Sequence, residues 1–203
     1  MKDSYNTIKR KTAQVLFKDA GSKFYGSAFP LQNEEQVATF IEPLRKKYKK
    51  ANHHCYAWKL GNTDDNYRAN DDGEPNHSAG DPILGQILAR DLSDVLVVVT
   101  RIFGGTKLGM GGLINAYRET ARLTLEQAIV IEKTVTEPLT VHFGYEQMSA
   151  VMRLIKELDL EIATQELLAS CSITLNVKLH DMENVQRAFE KIYPVTVTIN
   201  KPS

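Results

Sequence analysis

Only two cysteines, Cys55 and Cys171, stand in 203 residues, far apart and in no metal-binding or redox spacing. They read as reduced thiols of a cytosolic protein rather than as a disulfide framework. No apolar run approaches the roughly 18 residues that a membrane span needs. Residues 1–12 are polar and lack the apolar core of a signal peptide. A cytoplasmic location with no membrane partner is expected. Charge of one sign is not in excess either: 25 Lys and Arg balance 25 Asp and Glu. That argues against strong nonspecific attraction to nucleic acid and leaves any such role to local basic patches. Apolar residues at 42% and charged residues at 25% suit one large or two small globular domains.

What is present centres on residues 94–113. Val95-Leu96-Val97-Val98-Val99 has the composition of a strand buried on both faces. It leads into a loop with five glycines in nine positions, Gly104, Gly105, Gly109, Gly111 and Gly112, and with Arg101 and Lys107 beside them. A helical pattern follows from Leu113. Strand, glycine loop and helix start make a surface that an anion can approach, because glycine bares the backbone and the first helical N–H groups lack partners.

The rest of the chain frames this stretch. Residues 11–31 predict a two-stranded hairpin around Asp19-Ala20-Gly21-Ser22. Asn33 caps a helix with Gln36 at the box position and the stripe Val37, Phe40, Ile41, Leu44 and Tyr48. Pro43 is expected to kink or break it. Its end, residues 45–50, carries five cations in six positions, either a solvated helix end or a binding patch. His53 to Leu60 predicts a strand, on which His53 and His54 point to opposite faces and cannot easily share a metal. Residues 61–82 read as a polar loop of about twenty residues, a length that is usually functional or disordered. At its centre Asp71, Asp72, Glu74 and His77 fall within seven positions and could hold a divalent cation or do acid–base work, and His54 is grouped with the three carboxylates as an acidic-loop site. They lack EF-hand spacing, and Asp and Gly are also ordinary turn formers. Asp81 and Pro82 predict a helix start with Ile83, Leu84, Ile87 and Leu88 on its apolar face. Helix 113–129 turns Ile114, Tyr117, Ala121, Leu125 and Ala128 inward.

Residues 130–137 mark a boundary. Beyond it the pattern predicts strand 135–143, helix 145–158, strands 160–166 and 168–179, helix 182–193 and strand 195–199. This βαββαβ order is the split βαβ of ferredoxin-like domains. Thr174, Asn176 and Lys178 share one strand face, as do Thr196 and Thr198, and no aromatic pair of the RNA-reading kind accompanies them. That face is read as a protein or ribosome contact, or as simply solvated.

The glycine loop is neither a Walker A loop, since Lys107 is not followed by Ser or Thr, nor a dinucleotide fingerprint, since Ile114 stands where the third glycine belongs. It remains either a phosphate-type anion site or a tight crossover against a sheet. No Ser-His-Asp or Cys-His arrangement is legible, so no catalytic residue is assigned.

Several runs carry a resemblance: Asp71-Asp72-Gly73-Glu74-Pro75, Ala79-Gly80, Pro82-Ile83-Leu84, Val97-Val98-Val99-Thr100-Arg101, Phe103-Gly104-Gly105, Lys107-Leu108-Gly109, Gly111-Gly112-Leu113 and Ala116-Tyr117. Together with Ser22-Lys23-Phe24 and His53-His54-Cys55 they resemble the YigZ/Impact family over residues 15–130. The remainder is similar to the small C-terminal domain of bacterial two-domain members. The resemblance implies an α+β fold. Residues 1–130 would form a ribosomal protein S-five domain 2-like βαβ sandwich, similar to domain IV of elongation factor G. Residues 135–203 would form a ferredoxin-like domain similar to domain V of that factor. It also implies translation as the field of action. Eukaryotic relatives regulate the starvation-responsive kinase of initiation factor 2 by competing for its activator. Bacteria lack that kinase, so the implied partners here are the ribosome, RNA or a translation-associated protein, with no cofactor and no metal. The chain departs from the family pattern in three places. Asn76-His77-Ser78 stands where Ser-Gly-Thr is usual, Ile102 where an aromatic is usual, and Asn115 where arginine is common. The last two remove a stacking ring and a cation from the implied site.

Three functions follow. The first is a noncatalytic translation-associated binding protein that holds phosphate with Arg101, Lys107 and the glycine backbone. The second is a magnesium-dependent enzyme on a nucleotide or small phosphorylated ligand, with Asp71, Asp72 and Glu74 holding the metal. The third is a protein-interaction module whose loop motifs are purely structural.

Overall fold

A computed structural model describes residues 3–168 and 170–199. Residue 169, within the expected strand 168–179, lies outside the described residues, as do residues 1–2 and 200–203. The chain divides into two compact units, Asp3–Lys133 and the segment from Thr134 onward.

The first unit is built on an antiparallel five-stranded sheet. In chain order its strands are β2 (Val15–Asp19), β3 (Ser22–Pro30), β4 (His53–Lys59), β5 (Tyr67–Asn70) and β6 (Val95–Ile102), and in space the order is β2-β3-β6-β4-β5. β6 is central, and its alternation divides two cores. Val95, Val97 and Val99 face α2 (Gly80–Leu88) and α3 (Gly109–Glu126), whereas Leu96 and Val98 face α1 (Gln36–Lys47). Both faces are covered, which is why the strand carries no polar alternation before Thr100. A separate ribbon pairs β1 (Ser4–Ile8) with β7 (Val130–Thr134), so the stretch expected to be a boundary begins as a strand of the first unit.

Local chemistry shifts several boundaries. α1 continues through Pro43 to Lys47, so the expected break is absent. Asn33 Oδ1 accepts from Gln36 N, and Gln36 Oε1 accepts from Gln32 N. The loop expected over 61–82 is shorter, because Tyr67–Asn70 pairs with β4 along an exposed sheet edge. α3 begins four residues before Leu113, so Gly109 to Gly112 form its first turn rather than a loop. Packing overrides the low helix propensity of glycine there.

In the second unit β8 (Thr136–Gly144), α4 (Met148–Glu157), β9 (Glu161–Leu167), β10 (Ser170–Lys178), α5 (Met182–Glu190) and β11 (Thr196–Ile199) follow one another. The sheet order is β11-β8-β10-β9, antiparallel throughout, which is the split βαβ arrangement. Ile173, Leu175 and Val177 of β10 are buried, while Thr174, Asn176 and Lys178 alternate with them. Thr198, Thr140, Thr174 and Thr164 lie in one register row across all four strands.

α3 presses directly onto β3. A Cβ on Gly26 would stand 1.9 Å from Thr124 Oγ1 and 3.0 Å from Thr120 Cγ2. Both threonines are β-branched and bonded back to their own helix, through Thr120 Oγ1 to Ala116 O and Thr124 Oγ1 to Thr120 O. Gly26→Ala is therefore expected to destabilise the first unit by about 1–3 kcal/mol through overpacking, read as a lower urea midpoint with an unchanged slope.

Candidate functional site

β6 delivers Arg101 at its last inward position, beside Phe24 of β3 and His53 of β4 in the sheet register. Arg101 is 6% exposed. Its Nη1 donates to Glu74 Oε1 at 2.7 Å, and both side chains are almost fully buried. Tyr117 of α3 donates to the same carboxylate oxygen at 2.7 Å. Ser22 Oγ accepts from Gly104 N at 3.2 Å and from Arg101 Nη2 at 3.5 Å. The guanidinium lies 5.5 Å from the ring centres of Phe24 and Phe103. Cys55 Sγ, with its single proton, lies within hydrogen-bond distance of Asp71 O at 3.0 Å and Tyr117 Oη at 3.4 Å. Burial, the leading cause, pushes both the Cys55 thiol and the Tyr117 phenol well above their ordinary values. Cys55 is thereby held as a thiol, unsuited to attack as a nucleophile. Both cysteines are free and buried.

The acidic turn and His54 do not form one site. Asp71 caps α2: its Oδ1 accepts from Ala79 N and Gly80 N, and its Oδ2 from His77 N. The cap expected of Asp81 thus comes from Asp71, and Asp81 sits in the first turn paired with His77. Asp72 turns the other way, toward Arg45 of α1 and the His54 N–H. Glu74 goes beneath α3 with Arg101. The His54 ring lies on the α1 face, bonded to Thr100 Oγ1. Three carboxylates close in sequence diverge because each accepts from a different set of protein donors. Among the described residues no group of three His, Cys, Asp or Glu side chains is placed to hold a metal ion. Asp71, Asp72 and Glu74, which the enzymatic reading would use for magnesium, are thus directed to three different sets of partners.

The glycines separate into two kinds. Gly104 crosses against the β2–β3 turn so closely that a Cβ would lie 1.9 Å from Gly21 C. That is a packing requirement. Gly105 and Gly109 hold φ of +92° and +71°. Gly111 needs neither, since a Cβ there would meet nothing within 4 Å.

Above the Arg101–Glu74 pair the loop and the first turns of α3 enclose a cavity of about 390 Å³. Pro75, Phe103, Leu108, Met110 and Leu113 make most of its wall, with Lys107 and Arg101 the cations. No side chain caps α3, so its N-terminal dipole opens here. The sequence singled out Arg101, Lys107, Gly105, Gly109 and Gly111 but missed the apolar wall. Phe103 supplies a ring at the cavity, whereas Ile102 lies on the opposite face of β6 by strand alternation. The departure at residue 102 therefore leaves the cavity's ring in place.

Removing the Glu74 charge leaves a buried guanidinium without a counter-ion. Glu74→Gln is expected to cost about 3–5 kcal/mol, measurable by urea unfolding. His54 has its pKa lowered from 6.5, first by burial and then by Arg45. The unfolded chain therefore takes up a proton that the folded chain resists. This stabilisation is complete above about pH 6.5 and is lost as the pH falls below it. Between pH 7.5 and 5.5 the urea midpoint is expected to fall more steeply in the native chain than in His54→Gln.

Residues 20–125 match the family model of the Impact N-terminal domain. The chain is 33% identical over 157 residues to the IMPACT family member YvyE of Bacillus subtilis, covering 77% of this chain and 72% of that protein. It is 34% identical over 134 residues to the IMPACT family member YigZ of Escherichia coli, covering 65% of this chain and 66% of that one. The crystal structure of a hypothetical protein superposes with a TM-score of 0.80 over 100% of both chains at 24% identity, a likeness of fold.

Proposed function

This chain belongs to the IMPACT family, and from that premise we propose that it is a noncatalytic, translation-associated regulatory protein that contacts RNA or the ribosome through the loop 103–113. Translation is the field that the family resemblance implies. Likenesses of the first unit to the S-five domain 2-like sandwich and of the second to domain V of elongation factor G are part of the same reading. The two sheet orders are in keeping with it.

The observation that carries binding over catalysis is the state of the ionisable groups around the loop. Glu74, Asp71 and Asp72 are each occupied by protein donors, and burial suppresses the Cys55 thiolate. What faces outward is exposed Lys107, an uncapped helix start and glycine backbone. Those groups attract an anion through charge and N–H donors. Glu74 balances the charge of Arg101, so the attraction comes mainly from Lys107 and the helix dipole, an exposed contribution of about 0.3–1 kcal/mol from the dipole. Affinity per site is accordingly modest.

The test is sedimentation of the full chain with ribosomes, separated subunits and total RNA at about 50 and 200 mM salt. Each single-strand phosphate contact is expected to weaken binding roughly 3-fold across that range. Lys107→Glu, a surface change that leaves the buried Arg101–Glu74 pair alone, is expected to lower binding and flatten the salt dependence. Absence of binding at the lower salt contradicts the proposal.

A further inference from the structure

We propose that the cavity walled by Pro75, Phe103, Met110 and Leu113 takes a single unpaired nucleobase, whose phosphate rests on the open backbone at Gly111 beside Lys107. The inference rests on the reading above and names the ligand chemistry of the same loop.

Four observations converge on it. The cavity is too apolar for a phosphate alone, since Lys107 and Arg101 are its only cations and hydrophobic side chains make up most of the wall. At about 390 Å³ it lies at the small end of the range for ligand pockets. That accommodates one ring system and not a folded surface. Phe103 and Met110, both about half exposed, are large apolar side chains left open to solvent at this place, and an aromatic ring held against a guanidinium is a stacking platform for a base. Lys107, exposed and part of the same lining, supplies the positive charge that the phosphate of a nucleotide requires.

Gly111 is the fourth. It lies in the first turn of α3, where glycine costs about 1 kcal/mol against alanine. Neither its backbone angles nor its neighbours demand glycine. Gly104, by contrast, is demanded by Gly21. Gly111 differs from the helical Gly85 in standing at a helix start, where bare backbone N–H groups receive a phosphate that a Cβ would hold off. The base and its phosphate thus find complementary surfaces within one turn of α3.

The experiment uses the full chain with four probes: UMP, AMP, a short single-stranded RNA and the duplex of the same sequence. Binding is followed by titration calorimetry and by the amide and methyl shifts of Phe103, Met110, Gly111 and Leu113. Single-stranded RNA is expected to bind at least 10-fold more tightly than the duplex and to shift those four residues. Phe103→Ala is expected to reduce that affinity about 10-fold or more. Gly111→Ala is expected to raise the melting temperature while weakening binding several-fold, a combination that a purely structural glycine does not give. Response to UMP or AMP at comparable affinity assigns the site to a free nucleotide, and response to the strand alone assigns it to RNA. Equal binding of duplex and single strand, unchanged in Phe103→Ala but lost in Lys107→Glu, overturns the base pocket and leaves the phosphate contact standing. Ribosome sedimentation lost in Phe103→Ala with no response to any nucleotide or RNA overturns it in favour of an apolar protein contact. No binding to ribosomes or RNA of any kind removes the parent reading as well.

Discussion

Arg101 and Glu74 meet 2.7 Å apart with almost none of either side chain exposed, and the arrangement of the first unit follows from keeping that pair satisfied. A buried ion pair adds little net stability, because desolvation offsets attraction, but each partner becomes costly to lose. The guanidinium therefore collects what surrounds it: Ser22 from the β3 start, the Phe24 face, and Glu74 from the acidic turn. Tyr117 then ties α3 to the same carboxylate. Four segments distant in sequence are pinned at one point. The loop 103–113 is anchored at its root by that point and, through the crossing of Gly104 over Gly21, has little freedom to leave it.

The same demand for partners sends the carboxylates of the acidic turn apart. Spacing alone cannot say where carboxylates point. Asp71, Asp72 and Glu74 each answer a different demand: a helix start without a cap, a strand edge facing α1, and a buried cation. Helix α2 shows the same limit. Asp81 has the identity and position of a cap, yet Asp71 reaches Ala79 N and Gly80 N from eight and nine residues upstream in the turn's own loop, a bond that no local pattern reveals.

Much of the fold was legible because hydrophobic periodicity reports burial directly. The five apolar residues of β6 foretold two covered faces, and the alternation of β10 foretold a sheet with one open face. What escaped was set by tertiary contact. β5 is short, polar and at an edge, so Tyr67-Arg68-Ala69-Asn70 carries no apolar signal. The start of α3 was hidden by Gly109, Gly111 and Gly112, whose low propensity is overridden by the packing of Leu113, Ala116 and Tyr117 behind them. At the site, the cations and glycines stood out by type. Phe103 and Met110 did not, because a single apolar residue in a loop is unremarkable until its surroundings are known.

The two kinds of glycine carry the last step. In a loop with five glycines the sequence offers one explanation for all, either close approach within the protein or close approach of a ligand. The structure separates them, since Gly104 would collide with backbone and Gly111 would collide with nothing. Gly111 is left as open backbone in the first turn of α3, next to Met110 of the cavity wall. Around that turn stand an exposed lysine, a helix start without a side-chain cap and an apolar wall. The carboxylates beside it are engaged in holding the fold, Glu74 by Arg101 and Tyr117 and Asp71 by the start of α2.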